Sequence, residues 1–358
     1  MTETISIHLV TWNSARHLPA LLESIQAQSE PRFSVRVVDN ASEDRSREIV
    51  REQFPSALLM RNARNNGFAS AHNQAIRYAL DHWEGEDLSD KYIVLINPDI
   101  ILKPTCLEEL LRVARAHPSA SCVGAKLLRT FTESGSDEVL SEKTPSDIID
   151  SLGLHPHRNR SITEWRAGEL DRDPHPAGRM QGTEGEEEEV FGISGALALY
   201  RASALADASA EGAVFDPSFF SYKEDVDLAW RLRWLGYEAW CAPRAAAFHE
   251  RGMAAPSLHG FWARVSHRRR QPDRRKYYSN RNHWLLLIKN ESAGSLFLSA
   301  PWILLHEAKR VLYTLCIEPL GLGAFASAFL GFPRAWKARR LLISRRRVSP
   351  KDMRKWFV

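Results

Sequence analysis

The chain has 358 residues, of which 44% are hydrophobic and 26% are charged. This composition is that of an ordinary globular protein and excludes a disordered chain, and the length allows one large domain with an appendage or two domains. The net charge of +4 conceals an acidic run at 184–189 and stretches dense in Arg and Lys at 264–281 and 334–355. The four cysteines show no CxxC spacing, which favours free thiols in a reducing compartment over disulfides or a zinc site. The N-terminus lacks the pattern of a signal peptide, so we expect none.

Strands and helices are predicted to alternate over the N-terminal part. Ile5, Ile7 and Leu9 alternate with polar residues and predict a strand that ends near Thr11. Further strands are predicted at 35–38, 58–60 and 92–96, and helices at 17–28, 45–53 and 68–80. This order predicts an α/β fold with a doubly wound, mostly parallel sheet. Ligands of such sheets bind beyond the carboxyl ends of the strands.

Short polar residues follow the predicted strands at these ends. Asp39 has the chemistry to accept a hydrogen bond from the imide N–H of a uracil or thymine ring, and Thr11 and Asn13 could contact ribose or phosphate. The alternative is that Asp39 and Asn40 only form a turn. We therefore expect a nucleotide site, with the turn as the competing interpretation.

Two further segments are candidates for phosphate and metal chemistry. In Asn97-Pro98-Asp99 the proline ends the strand and leaves Asp99 available for one bond to Mg²⁺ or Mn²⁺. Asn65 and Gly67 precede a helix whose first amides could receive a phosphate. Each segment is also compatible with a plain turn or a helix cap.

Residues 132–189 interrupt the alternation. They are rich in Ser, Glu, Pro, Gly and His with little apolar periodicity, and we expect a long variable loop over the sheet. Regular structure is expected to resume at 191–196.

The segment 215–250 carries a carboxylate pair at the start of a predicted helix. Asp225 is a good N-cap residue, and Glu224 precedes it. The helix has a leucine stripe and ends at Gly236, where a left-handed residue belongs. A strand is predicted at 237–241, with His249 beyond it. The alternatives are that Asp225 is only a cap and His249 only a surface histidine.

The C-terminal part is apolar and basic. Residues 295–332 are markedly apolar but are interrupted by charges, so no run reaches the ~20 uncharged residues of a membrane-spanning helix. Amphipathic helices that lie on a membrane or pack on the domain fit better. Residues 334–355 contain ten Arg or Lys and one acid, Asp352, which predicts attraction to an anionic membrane surface.

Seven segments together resemble the family-2 glycosyltransferases with a GT-A fold, in particular the rhamnosyltransferase-like and galactofuranosyltransferase-like branch. They cover about residues 1–250, and the resemblance continues weakly through RRKYYSNRNHWLLLIKN (274–290). The segments are VTWNS (10–14), VVDNASEDRS (37–46), RNNGFASAHNQAI (64–76), VLINPDI (94–100), SGALALYR (194–201), FSYKEDVDLAWRLRWLGY (220–237) and PRAAAFHE (243–250).

The resemblance implies roles for individual residues. Asp39 reads the pyrimidine base, Asp99 is the last aspartate of a DxD-type metal motif, and His249 completes the shell of Mg²⁺ or Mn²⁺. Asp225, next to Glu224, is the catalytic base of an inverting transfer. The first position of the motif is Asn97 instead of Asp, which removes one negative charge from the metal site.

The resemblance also implies partners. A nucleotide-diphosphate sugar, with dTDP-L-rhamnose preferred, donates to a saccharide or polyprenyl-linked acceptor in surface polysaccharide synthesis. We expect a catalytic domain over 1–250, a helical extension over 251–358, and a cytoplasmic protein on the inner face of the membrane. The alternatives are a non-catalytic nucleotide-sugar-binding or membrane scaffold protein and nucleic-acid binding through the basic stretches, for which no RNA or zinc motif is present.

Overall fold

Strands and helices alternate at the start of the computed structural model, which describes residues 3–132, 143–172, 186–250 and 261–358. The predicted strands and helices of this part are confirmed to within a few residues at their ends. They are β1 (Ile5–Thr11), α1 (Leu18–Gln26), β2 (Phe33–Asp39), α2 (Ser46–Gln53), β3 (Leu58–Arg61), α3 (Gly67–His82) and β4 (Tyr92–Ile96).

The middle of the chain is richer in strands. Its elements are β5 (Ile100–Leu102), α4 (Cys106–Ala116), β6 (Ala120–Thr132), β7 (Lys143–Ser151), β8 (Leu154–Pro156), β9 (Ile162–Glu164), β10 (Glu188–Glu189), β11 (Leu197–Arg201), α5 (Ala202–Ala208), α6 (Glu224–Trp234) and β12 (Glu238–His249).

Ten strands form one sheet in the order β10-β12-β6-β11-β4-β1-β2-β3, with β5 on β12 and β7 on β6. Strands β3, β2, β1 and β4 are parallel, as are β12 and β6. Between these two parallel groups β11 runs antiparallel to both β4 and β6. The predicted α/β fold class is therefore confirmed, and the antiparallel strands make the sheet mixed.

Helices cover both faces of this sheet. On one face Ile5, Ile7 and Leu9 of β1 share a buried cluster with residues of α1, α2 and α4. On the other face Ile93 and Leu95 of β4 share a cluster with α3, α5 and α6. Because side chains alternate along a strand, the continuous apolar run of β4 serves both faces.

The prediction of a long loop over 132–189 is wrong for residues 143–172. Strand β7 pairs antiparallel with β6, and β8 and β9 form a second, two-stranded sheet. Ile149 and Leu152 are buried in the core although the surrounding sequence is polar. Because only a few positions of this segment are apolar, its sequence lacks the alternation that would predict strands. The prediction is also wrong at 188–189, which form strand β10, whereas 133–142 and 173–185 lie outside the described residues.

Strand β12 is longer than the strand predicted at 237–241, and His249 is its last residue and does not lie beyond it. The extension pairs with β6 on one side and β5 on the other. Its sequence contains Ala245, Ala246 and Ala247, and alanine has low β propensity, so local sequence hides a strand that tertiary pairing stabilises.

Helices form the C-terminal part. They are α7 (Phe261–Arg270), α8 (Asp273–Asn290), α9 (Ala293–Ile317), α10 (Leu322–Leu330), α11 (Phe332–Arg345) and α12 (Pro350–Arg354). Among the described residues, no helix is both long enough and apolar enough to span a bilayer.

The C-terminal helices share a core with the sheet part. The rings of Trp230 in α6 and Phe357 lie 4.8 Å apart, and Phe191 lies 5.7 Å from Phe357. Trp234 Nε1 donates a hydrogen bond to the carbonyl of Asn290 (3.0 Å). The predicted division of the chain into a catalytic domain and a helical extension at residue 250 stays a prediction. Residues on both sides of this position contribute to the common core.

Candidate active site

The carboxyl ends of β1 and β2 bring Thr11 and Asp39 together. The two residues are partners in the parallel register, and Thr11 Oγ1 donates to Asp39 Oδ1 (3.0 Å). The backbone N–H of Ser42 donates to Asp39 Oδ2 (3.1 Å). Asp39 is fully buried, so each of its oxygens already has a partner, although a carboxylate oxygen accepts more than one hydrogen bond. The contact of Asp39 with a pyrimidine stays a prediction.

Asn13 lies at the rim of this region. Its backbone is left-handed with φ of 51°, which asparagine tolerates better than most residues. Its Oδ1 accepts from the backbone N–H of Glu43 (2.8 Å), so the side chain joins the β1 end to the β2 loop. Asn13 and the neighbouring Trp12 are exposed and available to a ligand.

Asn65 and Gly67 form the entrance to α3. Asn65 Oδ1 accepts from the N–H of Gly67 (2.8 Å), and Gly67 has φ of 81°. A Cβ at Gly67 would lie 2.4 Å from the carbonyl oxygen of Phe220, so only glycine fits. That carbonyl accepts from the N–H of Ala69 (3.2 Å). The start of α3 thus contacts the loop that precedes the Glu224–Asp225 pair.

Asp99 and His249, far apart in sequence, meet at the β5–β12 pair. Ile100 is the register partner of His249, and His249 Nε2 lies 3.4 Å from Asp99 Oδ2. The N–H of Glu250 donates to the carbonyl of Asp99 (2.8 Å). Asp99 Oδ1 is buried and has no hydrogen-bond partner among the described residues. An imidazole nitrogen beside an unsatisfied carboxylate oxygen is a donor set that suits a divalent cation.

Two aspartates determine the electrostatics of His249. Burial alone would lower the pKa of His249, but hydrogen bonds to Asp150 and Asp99 and the charges of these carboxylates raise it to about 9. The two aspartates therefore stabilise positive charge at this position.

Asp225 lies in the first turn of α6, but it is not the N-cap that its residue type predicts. The N-cap is Lys223, with φ of 70°, because Glu224 already begins the helix. Asp225 Oδ2 accepts from the N–H of Gly195 (2.9 Å). The next residue, Ala196, accepts at its carbonyl from the N–H of Asn97 (2.9 Å). This chain of contacts places Asp225 and the Asn97–Asp99 segment at the same edge of the sheet.

Glu224 differs from Asp225 in its surroundings. Its side chain is buried, and Oε2 has no hydrogen-bond partner among the described residues. Burial, followed by the charge of Asp225, raises the pKa of Glu224 to about 8. Glu224 is therefore protonated at neutral pH, whereas a proton acceptor must be ionised.

Comparison with known proteins shows the family to which the chain belongs. The family model described as "Glycosyl transferase family 2" matches residues 6–207, which is more than half of the chain. The chain belongs to glycosyl transferase family 2. It is thus a glycosyltransferase, and the GT-A fold expected from the sequence agrees with the structural neighbours.

Curated relatives and solved structures resemble the glycosyltransferase to different degrees. The N-acetylglucosaminyl-diphospho-decaprenol L-rhamnosyltransferase of Mycobacterium tuberculosis is 28% identical over 257 residues, which cover 70% of this chain and 77% of that protein. A structure of S. aureus TarS 1–349 superposes with a TM-score of 0.51 at 14% identity, over 96% of this chain and 83% of that one.

A third similar protein was solved with ligands. The structure of GalNAc-T7 with UDP, GalNAc and Mn²⁺ gives a TM-score of 0.55 at 11% identity, over 80% of this chain. The glycosyltransferase spans about half of that protein's length, since the match covers 48% of it. These two structural matches establish the fold alone.

The structure adds a residue that the sequence interpretation missed. Asn282 of α8 is fully buried, and its Nδ2 donates to the carbonyls of Phe219 (2.8 Å), Ser221 (3.0 Å) and Tyr222 (2.8 Å). Helix α8 of the glycosyltransferase thereby fixes the loop before Asp225. The signal was the asparagine itself, a poor helix former inside an otherwise helical segment.

A second link between these parts runs through Asp227. This buried carboxylate accepts from Lys289 Nζ (3.0 Å), from Asn290 Nδ2 (2.9 Å) and from Arg231 Nε (2.9 Å). Asp227 therefore links α6 to α8. The C-terminal helices thus contact the helix that carries Asp225.

Proposed function

We propose that the chain is an inverting glycosyltransferase that moves L-rhamnose from dTDP-L-rhamnose to a lipid-linked saccharide acceptor in surface polysaccharide synthesis. The observation that carries the reaction is the position of Asp225 at the same sheet edge as the Asp99–His249 pair. The donor and the acceptor are supported by the similarity to the mycobacterial L-rhamnosyltransferase, whose name states a diphospho-decaprenol acceptor.

The proposed cation is Mg²⁺ or Mn²⁺, held by Asp99 and His249. When bound, it neutralises the charge that develops on the nucleotide diphosphate as that group leaves. Asn97 contributes no charge at the first motif position. Asp99 therefore supplies the negative charge, and His249 supplies a nitrogen ligand, which favours Mn²⁺ somewhat over Mg²⁺.

Asp225 is the proposed base. The acceptor hydroxyl transfers its proton to the carboxylate, its oxygen forms the new bond to the anomeric carbon, and the bond from that carbon to the diphosphate oxygen breaks. Attack from the side opposite the leaving group inverts the anomeric centre. A positioned base contributes about 10²–10⁴-fold to the rate. The raised pKa of Glu224 leaves it neutral, so it is suited to donate a hydrogen bond and not to remove the proton.

The Asp225→Asn variant tests this assignment. We expect turnover to fall by at least about 10²-fold while dTDP binding stays within a few-fold, because the base acts on the acceptor. The matched control is Asp273→Asn, the same change in the first turn of another helix, at an exposed side chain. Nucleotide release is measured with dTDP-, UDP- and GDP-sugars. An equal loss of nucleotide binding contradicts the role of Asp225 as the base. Turnover with GDP-sugars alone contradicts dTDP-L-rhamnose as the donor.

The acceptor proposal includes a membrane surface formed by the outward faces of α9, α10 and α11, here called the apolar face. Its members are at least 40% exposed: Leu296, Phe297, Leu298, Trp302, Leu304, Leu305, Leu312, Leu315, Leu322, Phe329, Leu330, Phe332, Trp336, Leu341 and Ile343. A surface of this size exceeds the scattered apolar residues of ordinary soluble proteins. We propose that it lies at the headgroup boundary of the inner membrane leaflet, where it meets lipid-linked acceptors.

The basic residues contribute less than their number predicts. Lys337 pairs with Glu211 (2.5 Å), and Arg345 and Arg347 both pair with Asp207 (3.1 and 2.9 Å). Arg345 and Arg347 share one carboxylate, so pairing balances their charge only in part, and a paired cation attracts an anionic surface less than a free one. We therefore expect vesicle binding to depend more on the apolar face than on salt.

Flotation with vesicles tests the membrane proposal in the full-length chain. The variant carrying Phe297→Ser, Leu304→Ser and Leu305→Ser should lose most vesicle binding, while Tyr78→Ser, at a half-exposed ring on α3, should not. Truncation is a poor test because the C-terminal helices share the core. Equal vesicle binding by the triple variant and the wild type contradicts the proposal.

A further inference from the structure

Three neighbouring strands place Asp150, Arg129 and His249 side by side. His249 of β12 is the register partner of Arg129 in β6, and Ile149 of β7 is the partner of Leu128. Asp150 Oδ2 lies 2.8 Å from His249 Nδ1, and Arg129 Nε lies 3.4 Å from Asp150 Oδ1. Asp150 is 0% exposed, so water cannot replace either partner.

The hydrogen bond at Nδ1 determines what the other ring nitrogen can do. An ionised carboxylate only accepts, so Nδ1 must carry a proton to bond with Asp150. In the neutral imidazole this leaves an unprotonated Nε2, and Nε2 is the nitrogen that lies 3.4 Å from Asp99. The same bond fixes the orientation of the ring and makes Nε2 a stronger donor to a metal.

We propose that Asp150 is a positioning residue that holds His249 in the tautomer and orientation required to bind the divalent cation beside Asp99. The inference rests on the metal site of the proposed function and extends it to a residue of β7. Asp150 acts through His249, as carboxylates commonly do behind metal-binding histidines.

The competing explanation is structural. A buried aspartate beside Arg129 could serve only to satisfy that guanidinium and to stabilise the β6–β7 pair. A structural role predicts lower stability of an Asp150 variant with unchanged metal affinity of the folded protein. The positioning role predicts weaker metal binding and a changed tautomer of His249.

The main variant is Asp150→Asn, which keeps the size of the side chain. Its amide can donate as well as accept, so it also permits the tautomer with the proton on Nε2, where the metal must bind. We expect the affinity of the full-length protein for Mn²⁺ to fall about 10-fold, and about 100-fold in Asp150→Ala, the range found for lost carboxylate partners of metal-bound histidines. The control is Asp147→Asn, the same change at an exposed position of the same strand, which should leave the affinity unchanged.

Two measurements are made on each variant without substrate. Mn²⁺ binding is titrated by the loss of the electron paramagnetic resonance signal of the free ion, and ¹⁵N chemical shifts of the imidazole report the tautomer of His249. In the metal-free protein the tautomer is measured at a pH at which the chemical shifts themselves show a neutral imidazole. The His249→Ala variant separates the two proposals.

If His249→Ala binds Mn²⁺ as tightly as the wild type, the proposed metal site fails, and the role of Asp150 fails with it. If His249→Ala loses Mn²⁺ while Asp150→Asn keeps wild-type affinity and tautomer, only the role of Asp150 is overturned. If the Asp150→Ala protein does not fold, the Asp150→Asn variant alone distinguishes the positioning role from the structural one.

Discussion

Helices α4 and α9 are both amphipathic, but they turn opposite faces toward the protein. In α4, Leu107 and Leu110 are buried against the sheet and Arg112 is exposed. In α9, Glu307 is among the buried residues, and Leu304 is 67% exposed. The arrangement in α4 is the usual one for a surface helix, since burial of apolar area is the main stabilising contribution. In α9 the polar side is the one that packs inward.

The two helices differ in the contacts that their inward and outward sides make. The inward side of α9 meets a buried polar network, in which Glu307 accepts from His283 (2.7 Å) and from Arg310 (3.0 Å). These three side chains satisfy one another, and the proximity of Arg310 disfavours a metal ion at the His283–His306–Glu307 cluster. The outward side is apolar and largely exposed. The membrane contact proposed above would account for this inversion.

The Glu307→Ala variant tests the inward face and has the largest expected effect on stability. Removing the carboxylate leaves the buried His283 and the partly buried Arg310 without this partner, so we expect the free energy of unfolding to fall by about 3–5 kcal/mol. Urea denaturation measures it. The control Glu52→Ala, at an exposed ion pair with Arg45, should change stability by no more than about 1 kcal/mol. A small effect at Glu307 would remove the contrast between the two helices.

The Leu110→Ala variant measures the apolar contact of α4. Leu110 is fully buried in the core, so the lost side chain and the cavity should lower the free energy of unfolding by about 2–5 kcal/mol. The measurement is urea denaturation at the same pH. A loss below about 1 kcal/mol would mean that the core around α4 relaxes to fill the cavity.

The Glu224→Gln variant tests how the lack of an ion-pair partner changes the pKa of a buried glutamate. Glu307 has a lowered pKa because its ion-pair partners outweigh burial, whereas the pKa of Glu224 rises from 4.5 to about 8. Between pH 4.5 and about 8 the folded protein keeps the proton on Glu224, whereas the unfolded chain loses it. The contribution of Glu224 to wild-type stability is therefore highest below pH 4.5 and falls as the pH rises to about 8, by roughly 1.4 kcal/mol per pKa unit at most.

The glutamine variant lacks this ionisation. Its stability advantage over the wild type should therefore grow from pH 5 to pH 8, as followed by denaturation at several pH values. A pH-independent difference between the two proteins contradicts the raised pKa of Glu224.

The Leu304→Ala variant has the smallest expected effect on unfolding. Leu304 is largely exposed, so we expect a change within about 0.5 kcal/mol, against the much larger loss at Leu110. The same variant should bind vesicles more weakly, because that side chain would be buried only in the membrane. A loss of more than about 1 kcal/mol in the absence of vesicles would show that the apolar face already has a partner within the protein.

Local sequence determined the elements and several candidate residues. The leucine stripe at 228, 232 and 235 is buried, and Gly236 has the left-handed φ of 85° that its position predicts. The strand ends carry Asp39 and Asp99 at one edge of the sheet because parallel strands present their carboxyl ends together. These features depend on residue spacing and turn chemistry, which act within a few positions along the chain.

Tertiary structure decided which distant groups meet. Asp150 lies 99 positions from His249, in a stretch without apolar periodicity, and only the β7–β6–β12 arrangement joins them. Asn282 reaches the loop before Asp225 from a helix that local pattern places in a separate segment. Helical spacing likewise shows that α9 has two faces, but it does not state which one packs inward. That depends on the buried partners of Glu307, which come from other elements and are set by the packing of the whole chain.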